Sequence, residues 1–143
     1  MLIIAGPTAS GKSALALELA EKSGGVIINA DSQQLYHELP ILTARPTPEE
    51  EARAPHRLYG ILPASEGCSA GKWLTLARME IDWARSRGVT PIVVGGTGLY
   101  LKALMQGIAD MPDIPPEVRA QAISDYDAMG KEAFAARLRE VDP

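Results

Sequence analysis

Residues 6–13 constrain the fold more than any other segment, because they match the pattern G-x-x-x-x-G-K-[ST]. The short apolar run Leu2–Ala5 before them predicts a buried strand, and Ser13–Lys22 after them predicts a helix. In this context the backbone N–H groups of the loop turn inward, and the positive end of the helix dipole adds to them. The sequence therefore predicts a phosphate or diphosphate site. The residues that would form it are Gly6, Pro7, Thr8, Ala9, Ser10, Gly11, Lys12 and Ser13.

Two side chains of this loop carry chemistry of their own. Lys12 supplies a mobile cation for the outer phosphate, and Ser13 offers a hydroxyl ligand to Mg²⁺. The loop does not identify the molecule that bears the phosphate, because ATP-binding kinases, nucleotide hydrolases and some transferases share it.

The rest of the chain alternates strands and helices. Val26–Ile28 and Pro91–Val94 are short apolar runs that predict strands, and one apolar stripe predicts a helix that starts at Ala70 and stops at Gly88. This order predicts an α/β fold, a P-loop NTPase-like parallel sheet flanked by helices. The stripe consists of Ala70, Trp73, Leu74, Ala77, Ile81 and Ala84.

The tail has a different pattern. Prolines interrupt residues 111–116, and Asp113 is placed to cap a helix that begins near Pro116. Pro116–Met129 and Lys131–Val141 predict two helices around Gly130. We expect a core over residues 1–112 and a second, helical region over residues 113–143.

Composition and charge bear on the binding partners and the cellular compartment to be expected. Lys plus Arg is 14 and Asp plus Glu is 18, so the net charge of −4 gives no overall sign of nucleic-acid binding, although a local basic face would suffice. Cys68 is the only cysteine, which excludes an internal disulfide, and no apolar run approaches a membrane span of about 20 residues. We expect a cytoplasmic protein.

Polar residues follow the second and third predicted strands, where ligands of open α/β sheets bind. Asp31 is a candidate general base or magnesium ligand, and its alternative role is to cap the local turn. Thr97 begins a helix, so it is either an N-cap, a substrate contact, or both. The glycines at positions 95, 96 and 98 are expected to permit close backbone approach. His37 and His56 lack metal-ligand spacing and are interpreted as structural or surface groups.

Five segments together resemble the tRNA dimethylallyltransferases: residues 6–13, 30–36, 43–46, 54–58 and 94–100. The resemblance implies transfer of a dimethylallyl group from dimethylallyl diphosphate to N6 of adenosine 37, in tRNAs that read codons starting with U. It also implies that the phosphate loop holds a diphosphate with Mg²⁺ and does not hydrolyse a nucleotide.

The resemblance assigns roles to individual residues. Lys12 would stabilise charge on the diphosphate, Asp31 would accept the proton of the N6 amine, and Thr97 would hold substrate near the reaction. Arg119 occupies a position where the family places a tRNA contact, and its alternative is a solvent-facing helix residue. The residues expected to face tRNA are Asp31, Ser32, Gln33, Gln34, Thr97 and Arg119.

Length is the main departure from this family, whose members continue well beyond 143 residues. The residues from position 113 are expected to begin a helical tRNA-binding insertion. Without later strands the first strand would lie at an unpaired, apolar sheet edge, so we expect weak or no activity from this chain alone. The full-length form is expected to be a monomer.

Three alternatives stay open at this stage. A small-molecule kinase shares the phosphate loop, although the chain has no clear lid rich in arginine. An adenylate isopentenyltransferase would use a free nucleotide as the acceptor. A non-catalytic phosphate-binding fragment is the third possibility.

Overall fold

The computed structural model describes residues 1–109 and 114–142. The chain forms two compact units, Met1–Ile108 and Ala109–Pro143. The expected boundary between residues 112 and 113, and the expected cap at Asp113, lie outside the described residues.

The first unit alternates strands and helices as the sequence predicts. Its strands are β1 (Leu2–Ala5), β2 (Val26–Asn29), β3 (His56–Arg57) and β4 (Pro91–Gly95). Its helices are α1 (Lys12–Ser23), α2 (Pro48–Arg53), α3 (Ala70–Ser86) and α4 (Gly98–Gln106), with a 3-10 turn at Gln33–Leu35.

All four strands run parallel in the order β1-β4-β2-β3. The register aligns Ile3 with Val93 and Val93 with Ile28 across three strands. Since parallel strands share a direction, the carboxyl ends of β1, β2 and β4 meet at one edge of the sheet, and the loops that leave them meet there too. The predicted parallel sheet with flanking helices is confirmed.

Helices cover both faces of the sheet, because alternate residues of β2 and β4 point to opposite sides. On one face, Ile28 and Val93 pack in a cluster with the α3 stripe around Trp73. On the other face, Ile27 and Ile92 pack in a cluster with α1. Trp73, a member of the predicted stripe, is fully buried.

The expectation of an open edge at β1 is confirmed within the residues that the structure describes. There, β1 hydrogen-bonds to β4 on one side only. Leu2 is 44% exposed, whereas every residue of β2 and β4 is buried. An unpaired parallel strand leaves backbone donors and acceptors open to other chains.

Sequence patterns did not predict β3. A strand of two residues has no periodicity to detect, and β3 exists because His56 and Arg57 pair with Ile27 and Ile28. The start of α2 is a capping box, in which Glu50 N–H donates to Thr47 Oγ1 at 3.3 Å and Thr47 N–H donates to a Glu50 carboxylate oxygen at 2.9 Å.

The second unit contains α5 (Pro116–Val141), which Gly130 interrupts with φ 78° and ψ 168°. The prediction of two helices around Gly130 is confirmed. The helices contact each other through the rings of Tyr126 and Phe134, whose centroids lie 5.5 Å apart. Arg137 also pairs with Asp125 at 3.0 Å. No helix in the described part of the chain is both long and apolar enough to cross a membrane.

Candidate active site

The phosphate loop connects β1 to α1 and takes up the conformation that its sequence requires. Gly11 stands at the N-cap of α1 with φ 83°, a left-handed conformation that favours glycine. The first amides of α1 receive no side-chain cap, so they are available to a ligand. Lys12 Nζ donates to the carbonyl of Pro7 at 2.5 Å, which holds the cation over the loop.

The loop forms one wall of a cavity of about 270 Å³. The other lining residues lie at or after the carboxyl ends of β2, β3 and β4, as expected for parallel strands whose carboxyl ends share an edge. The cavity therefore brings Lys12 and Ser13 together with Asp31. Its lining residues are Thr8, Ala9, Ser10, Gly11, Lys12, Ser13, Ala14, Asp31, Gln34, Thr43, Ala44, Tyr59, Val94 and Gly95.

Asp31 is half-buried at this cavity. Its Oδ1 accepts a hydrogen bond from the Gln33 amide at 2.9 Å, which closes a tight turn. The turn-capping role considered from sequence is therefore present. It uses one carboxylate oxygen, so it is compatible with chemistry at the other.

Thr97 occupies the N-cap position of α4, as predicted, but its side chain accepts no hydrogen bond from the helix. Its Oγ1 accepts instead from the Ser32 amide at 3.0 Å and donates to Ser32 Oγ at 3.4 Å. Thr97 thus ties the end of β4 to the segment that carries Asp31, and neither Thr97 nor Ser32 lines the cavity.

Gln34 shapes the rim of the cavity by holding a neighbouring loop. Its Nε2 donates to the carbonyls of Thr43 and Ala44 at 2.7 and 3.2 Å. Ala44 has φ 50°, a strained conformation for a residue with a Cβ, and these bonds help to maintain it. Gln33, next to it, is exposed.

Tyr59 is a cavity residue that the sequence analysis missed. Its half-buried ring meets the His56 ring edge-on at 5.5 Å. Burial, with the Asp31 and Glu50 carboxylates nearby, raises the pKa of the Tyr59 hydroxyl well above its usual range, so it stays a hydrogen-bond donor. The adjacent segment 54–58 was a signal, but only the pairing of β3 places Tyr59 at the site.

Two of the three glycines at positions 95, 96 and 98 permit close backbone approach. A Cβ on Gly95 would overlap the carbonyl group of Ala30, and a Cβ on Gly96 would lie 3.2 Å from the carbonyl oxygen of Gly6. The prediction is wrong for Gly98, where a Cβ would meet nothing within 4 Å.

Arg119 belongs to the helical unit, where it is exposed near the start of α5. Among the residues described, no cluster of three or more His, Cys, Asp and Glu is placed to hold a metal ion. At the cavity, the Ser13 hydroxyl and the Asp31 carboxylate are oxygen ligands of the kind that Mg²⁺ prefers, and a bound phosphate would add more.

Comparison with known proteins gives a consistent family. A family model described as IPP transferase matches residues 34–143. The tRNA dimethylallyltransferase of Phenylobacterium zucineum is 58% identical over 141 residues, which cover 99% of this chain and 46% of that protein. The tRNA dimethylallyltransferase of Rhodospirillum rubrum is 55% identical over 142 residues, covering 99% and 44%.

Solved structures agree. The tRNA isopentenylpyrophosphate transferase of Bacillus halodurans superposes with a TM-score of 0.73 at 35% identity, covering 99% of this chain and 47% of that one. A eukaryotic dimethylallyltransferase acting on tRNA superposes with a TM-score of 0.84 at 30% identity, covering 100% and 36%. The chain thus spans less than half the length of these relatives.

Proposed function

The chain belongs to the IPP transferase family, and on that premise we propose that it carries out transfer of a dimethylallyl group from dimethylallyl diphosphate to N6 of adenosine 37 in tRNA. The observation that supports this most strongly is the cavity that brings Lys12, Ser13 and Asp31 together. A diphosphate site and a carboxylate base then line the same cavity.

The phosphate loop serves the leaving group. When the allylic C–O bond breaks, negative charge builds on the diphosphate oxygens. The amides at the start of α1 and the ammonium group of Lys12 stabilise that charge, because they are already oriented before the reaction. The bond of Lys12 to Pro7 is exchanged for one to the diphosphate.

Asp31 serves the acceptor. The N6 amine of adenine is a weak nucleophile because its lone pair is delocalised into the ring. As the new C–N bond forms and diphosphate leaves, the amine loses a proton. Asp31 Oδ2 receives it, since Oδ1 is occupied by the Gln33 amide.

Ser13 and Asp31 would provide oxygen ligands for Mg²⁺ in this cavity. When bound, it supplies charge neutralisation to the diphosphate.

We expect the acceptor tRNA to contact the segment after β2 and, independently, residues of the helical unit. Exposed Gln33 and Arg119 support this placement, and Ser32, Gln34 and Thr97 order the same edge. A tRNA substrate and the single cysteine support a cytoplasmic location for the reaction. The monomeric state stays a prediction.

The proposal is tested by incubating the protein with labelled dimethylallyl diphosphate, Mg²⁺ and unmodified tRNA, followed by nucleoside mass spectrometry. We expect slow formation of N6-dimethylallyladenosine, which Asp31→Asn reduces at least 100-fold and Lys12→Ala abolishes. A parallel reaction with ATP labelled in its γ-phosphate tests for a kinase. Phosphorylated acceptor, or prenylation that is indifferent to both substitutions, would contradict the proposal.

A further inference from the structure

Asn29 is a polar side chain with no exposed surface, at the last position of β2. An amide in an apolar core costs stability unless each of its polar atoms is hydrogen-bonded. Ile27, two residues earlier in β2 and therefore on the same face of the sheet as Asn29, belongs to the core. The hydrogen bonds of the Asn29 side chain therefore indicate why this amide is buried.

Both polar atoms of Asn29 are satisfied, and most of the bonds go to one residue. Its Oδ1 accepts from the amide of Asp31 at 2.8 Å, and its Nδ2 donates to the carbonyl of Asp31 at 2.9 Å. A second bond from Nδ2 reaches the carbonyl of Leu58 at 2.9 Å. Asn29 thus holds both the amide and the carbonyl of Asp31, the two backbone groups that flank the Asp31 side chain.

The same bonds complete an ordered run of amides. Ala30 N–H donates to the carbonyl of Val94 at 2.7 Å, and Ser32 N–H donates to Thr97 Oγ1 at 3.0 Å. Together with the amides of Asp31 and Gln33, four successive residues are fixed. Within residues 1–109 and 114–142, only the bonds of Asn29 act on both the amide and the carbonyl of Asp31.

Asn29 does not line the cavity, so it makes no contact with a ligand there. It is held from the opposite side, where Trp73 Nε1 donates to the Asn29 carbonyl at 2.9 Å. The Trp73 ring stacks on Tyr100 with centroids 4.5 Å apart. Asn29 is therefore anchored in the rigid core and acts on the site through Asp31.

We propose that Asn29 is a positioning residue for the transfer, because its side-chain amide clamps the backbone of Asp31 and aims the carboxylate at the acceptor nitrogen. This inference rests on the proposed function. Loss of the clamp leaves the phosphate loop intact, so it slows proton removal without weakening the binding of dimethylallyl diphosphate.

The kinetic test compares Asn29→Ala with Ile28→Ala, a neighbouring core substitution that removes packing without touching the clamp. Transfer rates are measured at saturating substrates, and the dissociation constant for dimethylallyl diphosphate with Mg²⁺ by calorimetry. We expect Asn29→Ala to lower the rate at least 10-fold with affinity unchanged within twofold, and Ile28→Ala to keep the rate within twofold. An equal loss in both variants, or an unchanged rate in Asn29→Ala, overturns the proposal.

A second measurement separates this inference from the proposed function. If the unsubstituted protein transfers nothing, the proposed function fails, and the clamp is judged by amide hydrogen exchange. The proposal requires exchange at Asp31 and Gln33 to rise at least 10-fold in Asn29→Ala relative to Ile28→Ala. Equal exchange in the two variants overturns it. If Asn29→Ala does not unfold cooperatively, the same comparison uses Asn29→Asp, which keeps the side-chain shape but loses both Nδ2 donors.

Discussion

The two units of the chain are stabilised in different ways. In the first, β2 and β4 are buried at every position, and two core clusters cover the faces of the sheet. In the second, no described residue of α5 is buried, and an apolar groove of about 590 Å³ runs beside Val118, Phe134 and Leu138. All residues that line the candidate active site belong to the first unit. The geometry of the site therefore depends on a packed sheet, whereas the helices depend on a few contacts.

The largest expected loss of stability comes from disturbing the carboxyl end of β4, next to the candidate active site. Gly95→Ala places a Cβ against the carbonyl group of Ala30, where backbone must move, and we expect the first unit to lose about 3 kcal/mol of unfolding free energy. Urea unfolding followed by tryptophan fluorescence measures this, since both tryptophans lie in α3.

Gly98→Ala is the matched control, because a Cβ there meets nothing within 4 Å and alanine favours helix. We expect its unfolding free energy to be unchanged or slightly higher. Similar losses of unfolding free energy in the two variants would show that the close packing of Gly95 against Ala30 does not stabilise the carboxyl end of β4.

A smaller effect is expected in the helical unit. Phe134→Ala removes the edge-to-face contact with Tyr126, and such a pair contributes about 1 kcal/mol. Circular dichroism should show a loss of helix, while the fluorescence-detected unfolding of the first unit keeps its midpoint. A shift of that midpoint would contradict the separate stabilisation of the two units.

The local parts of this architecture could be predicted from the sequence, and the long-range parts could not. The phosphate loop and the α3 stripe depend on residues close in sequence, so their spacing was sufficient. Tyr59 reaches the site through a two-residue strand, and Thr97 bonds to Ser32 across 65 positions. Asn29 likewise bonds to Leu58 across 29 positions. Such partners are set by the folded sheet, and no local pattern encodes them.

The smallest expected effect is on the loss of fold stability at acid pH. The Ala64 amide donates to both carboxylate oxygens of Glu38 at 3.0 Å, and this bond, with His37 nearby, lowers the pKa of Glu38. A lowered pKa stabilises the fold above the ordinary glutamate value of about 4.3, and that contribution is lost as the pH falls through the lower folded value. Urea midpoints at pH 7 and pH 3 should therefore differ less in Glu38→Gln than in the unsubstituted protein. An equal difference would exclude this bond as a source of acid sensitivity.

We expect the first unit to bind an allylic diphosphate through Lys12, and a calorimetric titration can decide whether it does. The protein is titrated with dimethylallyl diphosphate and separately with ATP, each with Mg²⁺, beside Lys12→Ala. Lys102→Ala serves as a control, because that lysine is exposed on α4.

We predict tighter binding of dimethylallyl diphosphate than of ATP. Lys12→Ala should weaken it at least 10-fold, since a charge-assisted hydrogen bond is worth about 1.5–3 kcal/mol, and Lys102→Ala should not change it. Tighter binding of ATP, or binding of the diphosphate that does not depend on Lys12, would contradict the account.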